Sequence, residues 1–186
     1  MNIKSCLLSL LLLLPVTATA NPTATGESLF SDDGYRIARY RSPTPDRVEG
    51  GRTLDTGSLQ RLLGQNPTPA LLNVQALTWR DGIFVEQEAR YQIPGSRWLP
   101  NVGKGVLEPR WEQYFRNELE RATGGLRDFP LVFYCRADCW MSWNAVRRAA
   151  EWGYSQLYWY PEGSDGWRDA GLSLERATPT PLQAAQ

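Results

Sequence analysis

Two cysteines stand four residues apart in Tyr134-Cys135-Arg136-Ala137-Asp138-Cys139-Trp140, directly after the apolar run Leu131-Val132-Phe133. Thiols at this spacing can carry sulfur, exchange disulfides or act as nucleophiles. An apolar run of this length reads as a short buried strand, and the residues from about Met141 read as a helix. The loop between them then lies at the positive end of a helix, among backbone N–H groups able to face an anion. Such a place favours a thiolate, the reactive form of cysteine, and Cys135 at the strand end is the expected nucleophile. Histidine is absent from the chain. That removes Cys-His catalysis, His-ligated metals and the Cys-x-x-Cys-His haem motif from consideration.

Three roles for the pair remain open at this level. A structural disulfide is permitted in an oxidising compartment, but a ring of about five residues restrains the unfolded chain by only about 2 kcal/mol, against nearly 5 for a ring of about 100. A sulfurtransferase or persulfide carrier would use Cys135 as nucleophile and Cys139 as acceptor or resolving thiol. A thiol–disulfide switch or accessory protein would use both. No metal is expected, because two cysteines without histidine leave a soft ion's ligand set incomplete. Around the thiols, Arg136 can offset negative charge and bind an anionic donor. Asp138 can accept a loop N–H, and Trp140 can shield the thiolate or stack on a planar ligand. The other tryptophans, Trp143 included, are expected in the core.

The loop needs a scaffold, and the chain supplies strands alternating with helices. Residues 1–20 have a positive start at Lys4, an apolar run from Cys6 to Val16 and the small residues Ala18-Thr19-Ala20. They read as a secretory leader cleaved near Ala20, which implies export to the periplasm. No later stretch approaches the roughly 20 apolar residues of a membrane span. Residues 21–54, rich in Pro, Gly, Ser and Arg, read as an extended arm whose tyrosines Tyr35 and Tyr40 lie on the domain.

From 55 to 175 the pattern is that of one domain. Thr56 is expected to cap a helix to Leu63, and Ala70 to Gln75 reads as a buried parallel strand. A turn and strand follow over Ile93 to Pro100, then a helix over about Pro109 to Arg121 with Trp111, Tyr114, Phe115 and Leu119 on one face. The strand Pro130 to Tyr134, the cysteine loop, a helix from Met141 to Trp152 and a strand Leu157 to Tyr160 complete it. This alternation predicts a three-layer α/β domain with a mostly parallel sheet flanked by helices. Residues 176–186 read as a flexible tail. The formal charge is +0, so nucleic acid and anionic membranes are not expected partners.

The order of these segments resembles the rhodanese homology domain over roughly Asp55 to Leu174. The resemblance rests on the strand Leu71 to Gln75, the Ile93-Pro94-Gly95 turn, the strand ending in Cys135, Gly153-Tyr154, and Gly163 through Trp167. Where many rhodaneses carry Asp and Arg on the first strand, this chain has Asn73 and Gln75. The leader, Gly34-Tyr35-Arg36, Pro43-Thr44-Pro45 and Cys135 through Trp140 are similar to the exported proteins described by a CXXCW motif and associated with pyrroloquinoline quinone-dependent alcohol catabolism. The resemblance implies a rhodanese-like three-layer fold and a persulfide at Cys135. It also implies an anion cradle over residues 136–140 (Arg136, Ala137, Asp138, Cys139 and Trp140). The implied partners are a small sulfur donor such as thiosulfate or a thiol protein, and a quinoprotein dehydrogenase system. No cofactor is implied beyond the cysteine persulfide, the link to pyrroloquinoline quinone being indirect.

Overall fold

The structure is a computed structural model that describes residues 28–182. The expected leader, the first residues of the arm and positions 183–186 lie outside the described residues. In chain order the elements are β1 (Arg52–Thr53), α1 (Thr56–Leu63), β2 (Ala70–Asn73), β3 (Thr78–Arg80), β4 (Ile83–Val85), β5 (Tyr91–Gln92) and β6 (Arg97–Trp98). They continue with α2 (Pro109–Thr123), β7 (Leu131–Tyr134), α3 (Trp140–Glu151), β8 (Leu157–Tyr160), α4 (Gly163–Asp169) and β9 (Glu175–Arg176).

Five strands form a central parallel sheet in the order β1-β8-β7-β2-β6. Its register aligns Leu72 with Phe133 and Phe133 with Trp159. Because side chains alternate across a strand, that row and its second neighbours point to one face and the residues between them to the other. Leu72, Leu131, Phe133, Leu157 and Trp159 pack with Trp111, Phe115 and Leu119 of α2 and with Met141, Ala145 and Ala149 of α3. Leu71, Val132, Tyr134, Tyr158 and Tyr160 pack with Leu59 and Leu62 of α1 and Trp167 of α4. Helices therefore cover both faces, the three-layer α/β architecture expected, and this explains why β2, β7 and β8 read as unbroken apolar runs.

The cap of α1 differs from expectation. Asp55, not Thr56, occupies the N-cap, and its carboxylate accepts the Ser58 N–H at 2.6 Å. That bond holds the Asp55 carboxyl below its ordinary value. The structure adds the hairpin β3–β4, whose turn is Asp81-Gly82, the dipeptide that such turns favour; both residues adopt positive φ, 52° and 83°.

α3 is buried on more than its sheet face. Asn144 donates to the carbonyls of Arg36 (2.8 Å) and Gly103 (2.9 Å) and accepts from the Arg36 N–H (3.0 Å). Arg148 donates to the carbonyls of Lys104 (3.0 Å) and Gly105 (2.6 Å). The arm thus crosses α3 by polar contacts, with Tyr35 buried and its hydroxyl bonded to Glu151. Tyr40 donates its ring to the first core and accepts the Gly105 N–H at 3.0 Å. The sheet itself begins within the arm's expected span, at β1.

The segment expected as a flexible tail is instead docked as far as residue 182. β9 pairs antiparallel with β5 across Arg176 and Tyr91, Ala177 is buried, and Pro179 bridges Trp98. The Thr180 N–H donates to the Trp98 carbonyl at 2.8 Å, and Tyr114 donates to the Thr180 carbonyl at 2.8 Å. The edge strand β6 is thereby covered, which a polar, Pro-containing stretch does not advertise in sequence. Removing residues 177–186 is expected to cost about 1–3 kcal/mol of stability, seen as a lower urea midpoint; an unchanged midpoint would show that this segment adds nothing.

Candidate active site

Cys135 leaves the end of β7 at the carboxyl edge of the sheet, where open α/β folds gather their sites. β2 hands over to β6 on one side, while β7 and β8 extend the sheet on the other, so the loop lies where the strand order reverses. Cys135 is 3% exposed and Cys139, the N-cap residue of α3, is 5% exposed. The two are joined in a disulfide with their Cα atoms 6.1 Å apart. Asp138 takes a left-handed φ of 51°, which turns the loop tightly enough to close the ring.

α4 supports the loop from one side. Arg136 and Gly163 form an antiparallel bridge, and the Ser164 N–H donates to the Cys135 carbonyl at 3.0 Å. Gly163 has φ 59°, and a Cβ there would lie 2.4 Å from the Cys135 carbonyl oxygen, so this approach requires glycine. The Asp165 carboxylate accepts the Ala137 N–H at 3.2 Å. It also faces Arg136 at 3.6 Å, Arg168 at 3.5 Å and Arg41 at 3.8 Å. One carboxylate thus serves a loop amide and three guanidinium groups.

The arm closes the other side. Arg41 bridges Cys139 in antiparallel fashion and donates its Nη1 to the Ala137 carbonyl at 2.5 Å. The Ser42 N–H donates to the Asp138 carbonyl at 3.0 Å, and the Trp140 N–H donates to the Tyr40 carbonyl at 2.9 Å. The Trp140 indole donates to the Pro43 carbonyl at 3.1 Å, and the Trp143 indole to that of Arg47 at 3.0 Å. Phe30 meets Trp140 edge to face at 5.4 Å, and the Arg36 guanidinium lies over both rings at 5.1 and 4.9 Å.

These contacts place each expected site residue. Cys135 and Cys139 come together as a bonded pair. Ala137 and Trp140, expected to offer N–H groups to an anion, spend them on Asp165 and Tyr40, so two amides of the expected cradle are engaged from within the chain. Trp140 is 7% exposed beneath the arm and serves as the arm's anchor. The Asp138 side chain is exposed, and its contribution is the left-handed turn. Arg136 alone reaches an open hollow, about 480 Å³, shared with Gln75, Arg90, Ser164, Asp165 and Arg168.

Sequence reasoning missed Asp165 and the roles of Asn73 and Gln75. The Asn73 side-chain oxygen accepts the Gln75 N–H at 3.1 Å, the Gln75 carbonyl accepts the Trp98 indole N–H at 2.8 Å, and the Gln75 amide reaches Ser164 at 3.5 Å. Amides thus anchor the strand end where the resemblance would place charges. Tyr134 precedes Cys135, and its hydroxyl accepts the Ile93 N–H at 3.1 Å and pairs with Ser96 at 2.7 Å. Burial pushes that phenol up, so it stays protonated at neutral pH. Among the described residues no acidic, cysteine or histidine cluster is fit to hold a metal, and no helix is long and apolar enough to cross a membrane.

No family model matches the chain, and no curated protein matches it. Among solved structures it is similar to the polysulfide-sulfur transferase homodimer of Wolinella succinogenes, at 20% identity and TM-score 0.45 over 68% of this chain and 79% of that one. It is similar to an uncharacterized protein from Saccharomyces cerevisiae at 22% identity and TM-score 0.42, covering 64% and 92%. It is also similar to 3-mercaptopyruvate sulfurtransferase from Leishmania major at 13% identity and TM-score 0.41, covering 76% of this chain and 41% of that one. At these values the likeness carries nothing about the reaction.

Asp165→Ala removes a negative charge beside the loop and frees the Ala137 N–H and three arginines to face a reduced sulfur. Both changes favour the thiolate. The expected outcome is a lower Cys135 thiol pKa and several-fold faster alkylation of the reduced protein near neutral pH, followed with iodoacetamide across a pH series. A raised or unchanged pKa would show that Asp165 does not set the charge of the loop.

Proposed function

We propose that this chain is an exported rhodanese-like protein that loads sulfane sulfur on Cys135 and discharges it through Cys139. The observation that carries the reading is the bond between the two sulfurs at the carboxyl edge of the sheet. It puts Cys139 within reach of anything Cys135 accepts. The cycle begins when a dithiol reductant, oxidised in turn to its own disulfide, opens the pair. The Cys135 thiolate then attacks the outer sulfur of thiosulfate, the S–S bond of the donor breaks and sulfite leaves, giving a Cys135 persulfide. The Cys139 thiolate next attacks Sγ of Cys135, re-forming the disulfide and expelling hydrosulfide. Alternatively the outer sulfur passes to an acceptor thiol, which becomes the persulfide, and both cysteines stay reduced for the next round. Both sulfurs are buried, so loading also requires residues 40–43 to leave the loop once the ring is open.

The leader-like start and the disulfide support a periplasmic setting. Placement beside a quinoprotein alcohol-oxidation system rests on the sequence markers from Gly34 to Pro45 and Cys135 to Trp140. A second reading is a thiol–disulfide switch or accessory protein of that system, without sulfur transfer. It is favoured by the closure and burial of the pair beneath the arm, which leaves no free thiol among the described residues.

Intact-mass analysis after reduction, removal of reductant and thiosulfate treatment separates the two. Wild type is expected to return to the disulfide with release of sulfide, Cys139→Ser to keep one added sulfur atom, and Cys135→Ser to gain none. Equal loading of Cys135→Ser would sink the nucleophile assignment. A Cys139→Ser protein that stays inert to thiosulfate, beside a wild type that exchanges disulfides with dithiols, would establish the second reading.

A further inference from the structure

A larger hollow, about 610 Å³, opens beside the carboxyl end of β2, between the loop that follows it, the hairpin β3–β4 and the start of α2. Arg90 lines both this hollow and the one that holds Arg136. The size suits a small organic ligand. Trp79 and Trp111 supply an apolar wall, meeting edge to face at 5.7 Å, and Phe84 backs Trp79 at 4.7 Å. Asn101 stiffens the rim, accepting the Leu77 N–H at 3.2 Å and donating to the Leu77 carbonyl at 2.8 Å.

The charges here do not balance. Glu108 is matched by Arg110, whose Nη2 and Nε reach the same carboxylate oxygen at 2.7 and 2.9 Å. Arg90 and Lys104 are left, and among the described residues neither has an ion-pair partner. The Nε–H of Arg90 is also shut away from solvent without an acceptor. Buried donors nearly always find an acceptor, and a guanidinium fork fits an oxyanion. A purely inorganic anion would leave the tryptophan wall uncovered.

We infer that this hollow binds a small organic anion, with its carboxylate or sulfonate on Arg90 and Lys104 and a flat apolar body against Trp79. The site stands whether or not Cys135 carries sulfur, since none of its groups belongs to the cysteine loop.

Naphthalene-2-sulfonate and its neutral sulfonamide serve as probes, titrated into the disulfide form of the protein. The indole N–H signals of Trp79 and Trp111 and the Nε–H of Arg90 are followed by NMR, with Trp79→Phe for assignment. The sulfonate is expected to give saturable shifts at these groups, and the sulfonamide to bind about 10-fold more weakly. Arg90→Met is expected to weaken the sulfonate by about 10-fold or more and Lys104→Met by several-fold. Absence of saturation, shifts confined to other residues, or equal affinity for the two probes overturns the inference. Lys104 is exposed, so its substitution leaves the fold intact. Should Arg90→Met fail to fold, an unchanged affinity in Lys104→Met together with equal binding of the two probes decides against the site.

Discussion

The burial of β7 on both faces and both edges is the constraint from which the rest of the site follows. Paired with β2 on one side and β8 on the other, and covered by helices above and below, Leu131 to Tyr134 have no freedom to shift register. A one-residue slip would exchange Phe133 and Tyr134 between two differently shaped cores. Cys135 is therefore delivered at one height and on one face. Tyr134, bonded to the Ile93 N–H and to Ser96, pins the end of the strand from the opposite face. The disulfide closes on a base that is already rigid.

What surrounds that base is polar and comes from remote parts of the chain. Gly163 lets α4 approach the Cys135 carbonyl, Asp165 takes a loop amide, and the arm supplies carbonyls and an arginine to the other side. The arm stays in place because Asn144 and Arg148 hold the segments it crosses by their backbone groups. Burial makes Arg148 less willing to carry its charge than an exposed arginine, and the carbonyls it donates to offset that loss. The same interactions that keep the loop closed keep its sulfurs from solvent, so access to Cys135 and the position of the arm are coupled.

The carboxyl edge of the sheet carries its charge unevenly. Beside the cysteine loop, Asp165 faces three arginines and offsets only part of their charge. On the far side of Arg90 the tryptophan-walled hollow has cations without counter-charges. The two hollows are neighbours, and Arg90 belongs to both rims.

The elements were legible in the sequence because their causes are local. Apolar runs marked β2, β7 and β8, helical spacing marked α2, and the position of Cys135 at a strand end followed from Leu131-Val132-Phe133. The Asp81-Gly82 turn of β3–β4 has a local cause too, whereas the docking of residues 176–182 does not, since its cause lies in Trp98 and Tyr114. The closure of the cysteine pair, the engagement of the Ala137 and Trp140 amides and the isolation of Arg90 are decided by groups far along the chain; the Trp140 indole meets Pro43 across 97 residues and Ala137 meets Asp165 across 28. Residue types and periodicity by themselves determined which segments fold and where the thiols emerge. Only the tertiary structure decided what those thiols face, because hydrogen bonds and charges are satisfied by whichever groups the packed layers bring within reach.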